Sequence, residues 1–177
     1  MKIYVVRHGL TEFNKKNLIN GANKDFLVPE GKEQARATAL LLPNTIKRIY
    51  SSSFLRAKQT AEIFNEKLKV LLTFHDELQE VNFGDLQGTP YLKEYRTKHI
   101  NMDYDWRPSG ESVENVKKRV LKILEIIERE NKSEEALIVA HGGIIRMMHW
   151  LEFNEPMGAI ENASVHSFNL NKILRKV

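Results

Sequence analysis

The chain has 177 residues, 42% of them hydrophobic and 28% charged, the make-up of an ordinary globular domain with one sizeable core. Lys and Arg number 27 against 23 Asp and Glu, a mild formal charge of +4 that suits a small anionic substrate; without a dense basic stripe or nucleic-acid motif, no nucleic-acid partner is expected. The absence of cysteine excludes disulfides and thiol chemistry and fits a cytoplasmic protein. No run approaches the roughly 18 apolar residues of a membrane span, and residues 1–6 are too short an apolar segment for a secretory signal.

In chain order, residues 2–6 read as a short buried strand. Residues 29–42 predict a helix, with Pro29 near its first turn and Ala35, Ala39 and Leu42 on one face. Lys47 to Tyr50 reads as a second strand, and Phe54 to about Leu68 as a helix burying Ala57, Ala61, Phe64 and Leu68. Lys69 to Phe74 reads as a third strand. Residues 82–111 carry Gly84, Gly88, Pro90, Pro108 and Gly110 and read as irregular, a lid or substrate loop with room for a short helix around Tyr91 to His99. Val113 to Glu130 is the clearest helix, with Val113, Val116, Val120, Ile123, Leu124 and Ile127 in one stripe and Ser112 as its N-cap. Residues 136–140 predict a strand, Ile144 to Leu151 a helix, and Val165 to Leu170 a last strand.

Strands alternating with helices predict an α/β protein: a three-layer α/β/α sandwich around a mostly parallel sheet, as one domain over residues 1–177. Ligands of such sheets sit beyond the carboxyl ends of the strands. Two similar tripeptides fall at such ends, Arg7-His8-Gly9 after Ile3-Tyr4-Val5-Val6, and His141-Gly142-Gly143 after Ala136-Leu137-Ile138-Val139-Ala140. Taken singly, each residue has an ordinary structural reading. A His after a strand is most often a satisfied core histidine, Arg7 a salt-bridge partner and Asn14 a turn residue. Arg56 reads as a solvated helix position and Glu80 as a surface loop residue. The Trp106 and Tyr104 pair reads equally as packing or as a substrate wall. Ser51 to Ser53 lack a Gly-x-Ser-x-Gly elbow, and His75, His99, His149 and His166 lack zinc-site spacing.

Together the two His segments permit phosphoryl transfer. Neutral imidazole is a competent nucleophile near pH 7, so His8 is placed to attack phosphorus. Arg7 and Arg56 offer planar forks for phosphate oxygens. A protonated His141 adds a donor, and a helix starting near Gly143 points free N–H groups at the same place.

Six ordered segments carry a family resemblance. Arg7-His8-Gly9-Leu10-Thr11-Glu12-Phe13-Asn14, Gly31-Lys32-Glu33-Gln34-Ala35 and Ser51 through Ala61 are the first three. Leu78-Gln79-Glu80-Val81-Asn82-Phe83-Gly84 is the fourth, and Gly110-Glu111-Ser112 with Val139 through Gly143 completes the series. The chain resembles the histidine phosphatase superfamily, in its phosphoglycerate mutase-like branch, over most of its length. The resemblance implies His8 as nucleophile, Arg7, Arg56 and His141 as the phosphate pocket with Asn14 and Gly142 assisting, and Glu80 as general acid and then base. The expected partner is a small phosphorylated substrate; the scattered histidines give no metal site, no cofactor is expected, and the lack of an apolar span gives no membrane partner. The sequence leaves the oligomeric state open, a homodimer included. Two departures stand out: Asn20 precedes Gly21 where the family commonly has Gln, and Val28 precedes Pro29 where Thr is common, so the helix at 29–42 lacks a side-chain cap.

The expectation is a cofactor-independent phosphatase that hydrolyses small phosphomonoesters through a phosphohistidine on His8. The runner-up is a phosphoglycerate mutase using the same pocket; the short connection from Glu80 to Ser109 favours hydrolysis. A non-catalytic phospholigand-binding protein is a third reading, disfavoured because every chemical residue is present.

Overall fold

The computed structural model describes residues 1–176. Its elements in chain order are β1 (Lys2–Arg7), α1 (Glu12–Lys15), α2 (Pro29–Leu41), β2 (Arg48–Ser52), α3 (Leu55–Leu68), β3 (Leu71–His75), α4 (Lys93–Ile100), α5 (Val113–Asn131), β4 (Ala136–Ala140), α6 (Gly142–Phe153), β5 (Val165–Asn169) and α7 (Leu170–Leu174). The strands form one sheet in the order β3-β2-β4-β1-β5. β1 to β4 are mutually parallel, and β5 runs antiparallel to β1 at an edge.

The central strand explains its own sequence. β4 is flanked by β1 and β2 and covered by helices on both faces, so all five of its residues are buried and the run Ala136 to Ala140 is apolar throughout. Alternate side chains feed two cores. Ile3, Val5, Tyr50 and Ile138 pack beneath α5, α6 and α7, while Val6, Ile49, Leu137 and Val139 pack beneath α2 and α3. The three-layer α/β/α architecture follows from those two faces.

Local differences from the sequence expectations have local causes. The third strand starts at Leu71 rather than Lys69, because Lys69 adopts a left-handed φ of 52° and closes α3 by donating to Asn65 O at 3.0 Å. The stretch expected to be irregular over 82–111 holds α4, close to the short helix foreseen around Tyr91 to His99. α1 and α7 were not expected. Each is about one turn, too short for a periodic signal, and each is held by its cap: Thr11 Oγ1 and Asn169 Oδ1 each accept a backbone N–H at 3.3 Å. Ser112 caps α5 as expected, in a reciprocal box with Asn115, and Val28 gives α2 no side-chain cap. No helix of the described residues is long and apolar enough to cross a membrane.

Candidate active site

The register of the sheet assembles the site. Arg7 pairs with Ala140 across β1 and β4, so the next residues, His8 and His141, leave the carboxyl edge side by side. The His8 N–H extends the ladder by one bond to Ala140 O at 3.0 Å. The two imidazole rings lie 5.1 Å apart between centroids. β2 ends at the same edge, and its Ser52 Oγ meets His141 Nε2 at 2.8 Å. α6 begins at Gly142, so its first unpaired N–H groups point at this edge.

His8 is 2% exposed. Its Nδ1 lies 2.8 Å from Gly9 O, an acceptor only, so Nδ1 carries the proton and Nε2 presents the free lone pair. Burial pushes its pKa well below the ordinary histidine value, and the Arg56 and Arg7 guanidinium groups push the same way. The ring is therefore neutral at pH 7, the protonation state of a nucleophile. His141 is fully buried, and burial followed by Arg56 lowers its pKa well below the ordinary value too. His141, a further donor if protonated, is thus held neutral by its surroundings; charging it needs an anion beside it. Its Nδ1 has no hydrogen-bond partner among the described residues.

Arg7 donates from Nη1 to Ile160 O at 2.5 Å, and its Nε is buried and unpartnered. Arg56 is wholly buried, reaching Gly21 O at 2.6 Å and Asn23 O at 3.1 Å, with its guanidinium 5.0 Å from the Phe54 ring centroid. Desolvation lowers the pKa of both, that of Arg56 to about 10, and both remain cations at neutral pH. The loop that receives Arg56 depends on Gly21, whose φ of +48° is a backbone state that side chains disfavour. Asn20, the departure noted above, turns its amide inward to Thr11 Oγ1 (3.2 Å) and Asp25 Oδ2 (2.9 Å). Asn14 Oδ1 accepts from Asn162 Nδ2 at 3.0 Å, and the same amide donates to His8 O at 3.1 Å.

The Glu80 carboxylate faces the start of α6. It accepts from the Gly143 N–H at 3.0 Å and from the Val81 N–H at 2.9 Å. Its backbone is fixed by Arg119 on α5, which donates to Glu77 O and Gln79 O, both at 2.7 Å, and to Glu80 O at 3.3 Å. Arg119 in turn forms a two-pronged pair with Glu111, whose Oε2 also accepts from the Asn82 N–H at 2.9 Å.

A cavity of about 260 Å³ opens at this edge. Arg7, His8, Asn14, Glu80 and Gly142 line it; Arg56 and His141 do not, each having no exposed surface. Sequence reasoning missed Asn162, Arg119 and Ser52 as supports and Arg146, Arg96, Tyr91 and His99 as wall. Nothing local marks them, because their partners are brought to them only by the folded chain. Tyr104 and Trp106 are stacked at 5.7 Å in the core and leave the cavity wall to Phe83, so the packing alternative holds for that pair.

The family model described as the histidine phosphatase superfamily (branch 1) matches residues 3–176. "Phosphoglycerate mutase-like protein 4" of Arabidopsis thaliana is 33% identical, over 96% of this chain and 79% of its own length. "Uncharacterized phosphatase PhoE" of Bacillus subtilis is 31% identical over 82% of this chain and 74% of its own. Among solved structures, the mycobacterial glucosyl-3-phosphoglycerate phosphatase in complex with VO3 superposes with a TM-score of 0.83 at 26% identity, covering 94% of this chain and 91% of that one. The chain belongs to branch 1 of the histidine phosphatase superfamily and carries the phosphoglycerate mutase-like fold expected of it.

Proposed function

We propose that this histidine phosphatase hydrolyses small phosphomonoesters in the cytoplasm through a phosphohistidine on His8. The observation that carries the reading is the protonated Nδ1 of His8 tied to Gly9 O, which leaves a neutral Nε2 in a cavity walled by arginine. The Nε2 lone pair attacks phosphorus in line; the P–O bond to the alcohol breaks, and the leaving oxygen takes the proton of the Glu80 carboxyl. Arg7 and Gly142 line the cavity and hold the equatorial oxygens, while Arg56 and His141 stand buried behind that wall and add charge and a donor as the ester seats against it. The accumulating charge beside His141 favours its protonated form. Asn14 fixes the orientation from the α1 side. In the second half, Glu80 takes a proton from water as that water attacks phosphorus; the P–N bond breaks, and phosphate and neutral His8 are restored.

Support for hydrolysis comes from relatives whose names are those of phosphatases, one of them solved with VO3. The mutase reading rests on the same pocket and on the Arabidopsis relative's name. The deciding experiment is capture of labelled phosphate after an alkaline quench, with the labelled peptide mapped by mass spectrometry. The label is expected on His8 and absent from the His8→Ala protein. Normal turnover by that variant overturns the proposal. Rapid isomerisation of 3-phosphoglycerate primed by bisphosphoglycerate, with little free phosphate, makes the protein a mutase.

A further inference from the structure

The segment between α6 and β5 runs back along the carboxyl end of β1. Arg7 Nη1 donates to Ile160 O at 2.5 Å, and the Arg7 N–H to Ser164 O at 3.3 Å. The Ala163 N–H is shared between Arg7 O (3.0 Å) and His8 O (3.2 Å), and Ala163 O accepts from Thr38 Oγ1 at 2.9 Å. These bonds hold Ala163 at a φ of +57°, a backbone state that side chains disfavour. Asn162, next to that turn, lines the cavity together with Asn14 and His8.

The Asn162 amide is oriented by its partners. One end of it lies 3.1 Å from His8 O and 3.3 Å from Gly9 O. Both are carbonyls that only accept, so that end is Nδ2. The same Nδ2 lies 3.0 Å from the Asn14 amide, where it needs an acceptor, and the facing atom is therefore Asn14 Oδ1. Thr11 agrees. Its Oγ1 accepts from Asn14 N (3.3 Å) and Asn20 Nδ2 (3.2 Å), which leaves its own proton for Asn14 Oδ1 at 3.0 Å. With Oδ1 taken by two donors, the end of Asn14 left for the cavity is Nδ2, a donor. Gly9 O also accepts the Nδ1–H of His8 at 2.8 Å, so Asn162 braces the carbonyl that sets the tautomer of the nucleophile.

We propose that Asn162 is a positioning residue for the phosphoryl pocket: it fixes the Asn14 amide as a donor to a phosphoryl oxygen and steadies the backbone that holds His8 in its nucleophilic tautomer. The inference rests on the phosphatase reading above and adds a residue that works through Asn14 and His8. The need for it is physical. An unrestrained asparagine amide presents either end, and its carbonyl end repels a phosphoryl oxygen. Fixing the donor end before the ester arrives removes that misoriented population and the reorganisation it demands.

Asn162→Leu keeps the size of the side chain and removes both donors without adding charge. In this variant kcat/KM on p-nitrophenyl phosphate falls by about tenfold or more, the value of one hydrogen bond to a charged group. A double-mutant cycle with Asn14→Ala tests the route. In the Asn14→Ala background Asn162→Leu costs about threefold or less, a remainder that reports the Gly9 carbonyl, whereas a merely structural part gives the same loss in both backgrounds. Equal losses, or native rates in Asn162→Leu, overturn the proposal. NMR of the native protein decides even where a variant fails to fold. On titration with inorganic phosphate the Asn14 side-chain amide protons shift, while those of Asn162, already bonded, move less; an unmoved Asn14 amide overturns the proposal. If the native protein binds inorganic phosphate but does not hydrolyse the ester, the phosphatase reading alone fails. The same cycle is then run on calorimetric phosphate affinity, where equal losses again overturn the positioning role. A native protein that neither hydrolyses the ester nor binds phosphate overturns both.

Discussion

The Glu80 carboxylate accepts its hydrogen bond from the N–H of Gly143, at 3.0 Å, and so is aimed by the same helix start that faces the two histidines. The acid and the nucleophile are thereby referenced to one rigid corner, the turn from β4 into α6. General acid catalysis matters most when the leaving oxygen is basic. In Glu80→Gln, turnover of an alkyl phosphate is expected to fall by about 100- to 10,000-fold, while KM changes little. Turnover of p-nitrophenyl phosphate, whose leaving group needs little protonation, falls far less. Equal losses on both esters would remove Glu80 from the acid role.

The corner has no room for a side chain. A Cβ on Gly143 would come within 2.4 Å of Glu80 Oε1 and 2.6 Å of Val81 Cγ2, so Gly143→Ala must displace the carboxylate. The expected result is a rate loss on alkyl esters of about 100-fold, the usual consequence of a displacement near 1 Å, with about 1–3 kcal/mol of stability lost to overpacking. Parallel kinetics and urea unfolding check both figures. Native rates in the alanine variant would mean that Glu80 need not occupy the position seen.

Arg119 supports the same acid from behind. Its pair with Glu111 is partly buried, and three carbonyls from residues 77 to 80 depend on it. Arg119→Met is expected to cost about 2 kcal/mol of stability and to lower kcat on alkyl esters more than on p-nitrophenyl phosphate. The leaving-group dependence separates positioning of Glu80 from simple destabilisation, which lowers both alike. A uniform loss would assign Arg119 a purely structural part.

These supports show what was legible in the sequence. The apolar runs before His8 and His141 were visible because a strand buried on both faces must be apolar, and the parallel sheet then brought their ends together by register alone. The stripe of α5 and its Ser112 cap were visible for the same local reason. Glu80 and Arg56 needed the family resemblance, since one Glu or Arg among many carries no periodic mark. Arg119, Asn162 and Arg146 were invisible, because each meets backbone carbonyls that only the folded chain places within its reach. The neutral state of His141 was equally hidden, as burial depth is a property of the packed layers.

Burial of imidazole couples folding to pH. His8, His99 and His141 are each pushed well below the ordinary value, chiefly by desolvation, with Arg7, Arg56 and Arg146 adding to it. In the unfolded chain each titrates near 6.5. Below that pH the unfolded state binds protons that the native state refuses, so stability is full above about pH 7 and declines as pH falls toward the native pKa values. Each ring contributes a slope approaching about 1.4 kcal/mol per pH unit in that window. His99 sits among Phe83, Tyr91 and Tyr104, and His99→Phe keeps an aromatic ring there while removing one titrating group. Urea unfolding between pH 5 and 7.5 should therefore give a shallower decline in His99→Phe than in the native protein, by about one ring's share. NMR titration gives an independent check: the three ring resonances should stay in the neutral form through pH 6.5. An unchanged slope in the variant, or a His99 ring titrating near 6.5, would remove the buried neutral histidine as the source of the effect.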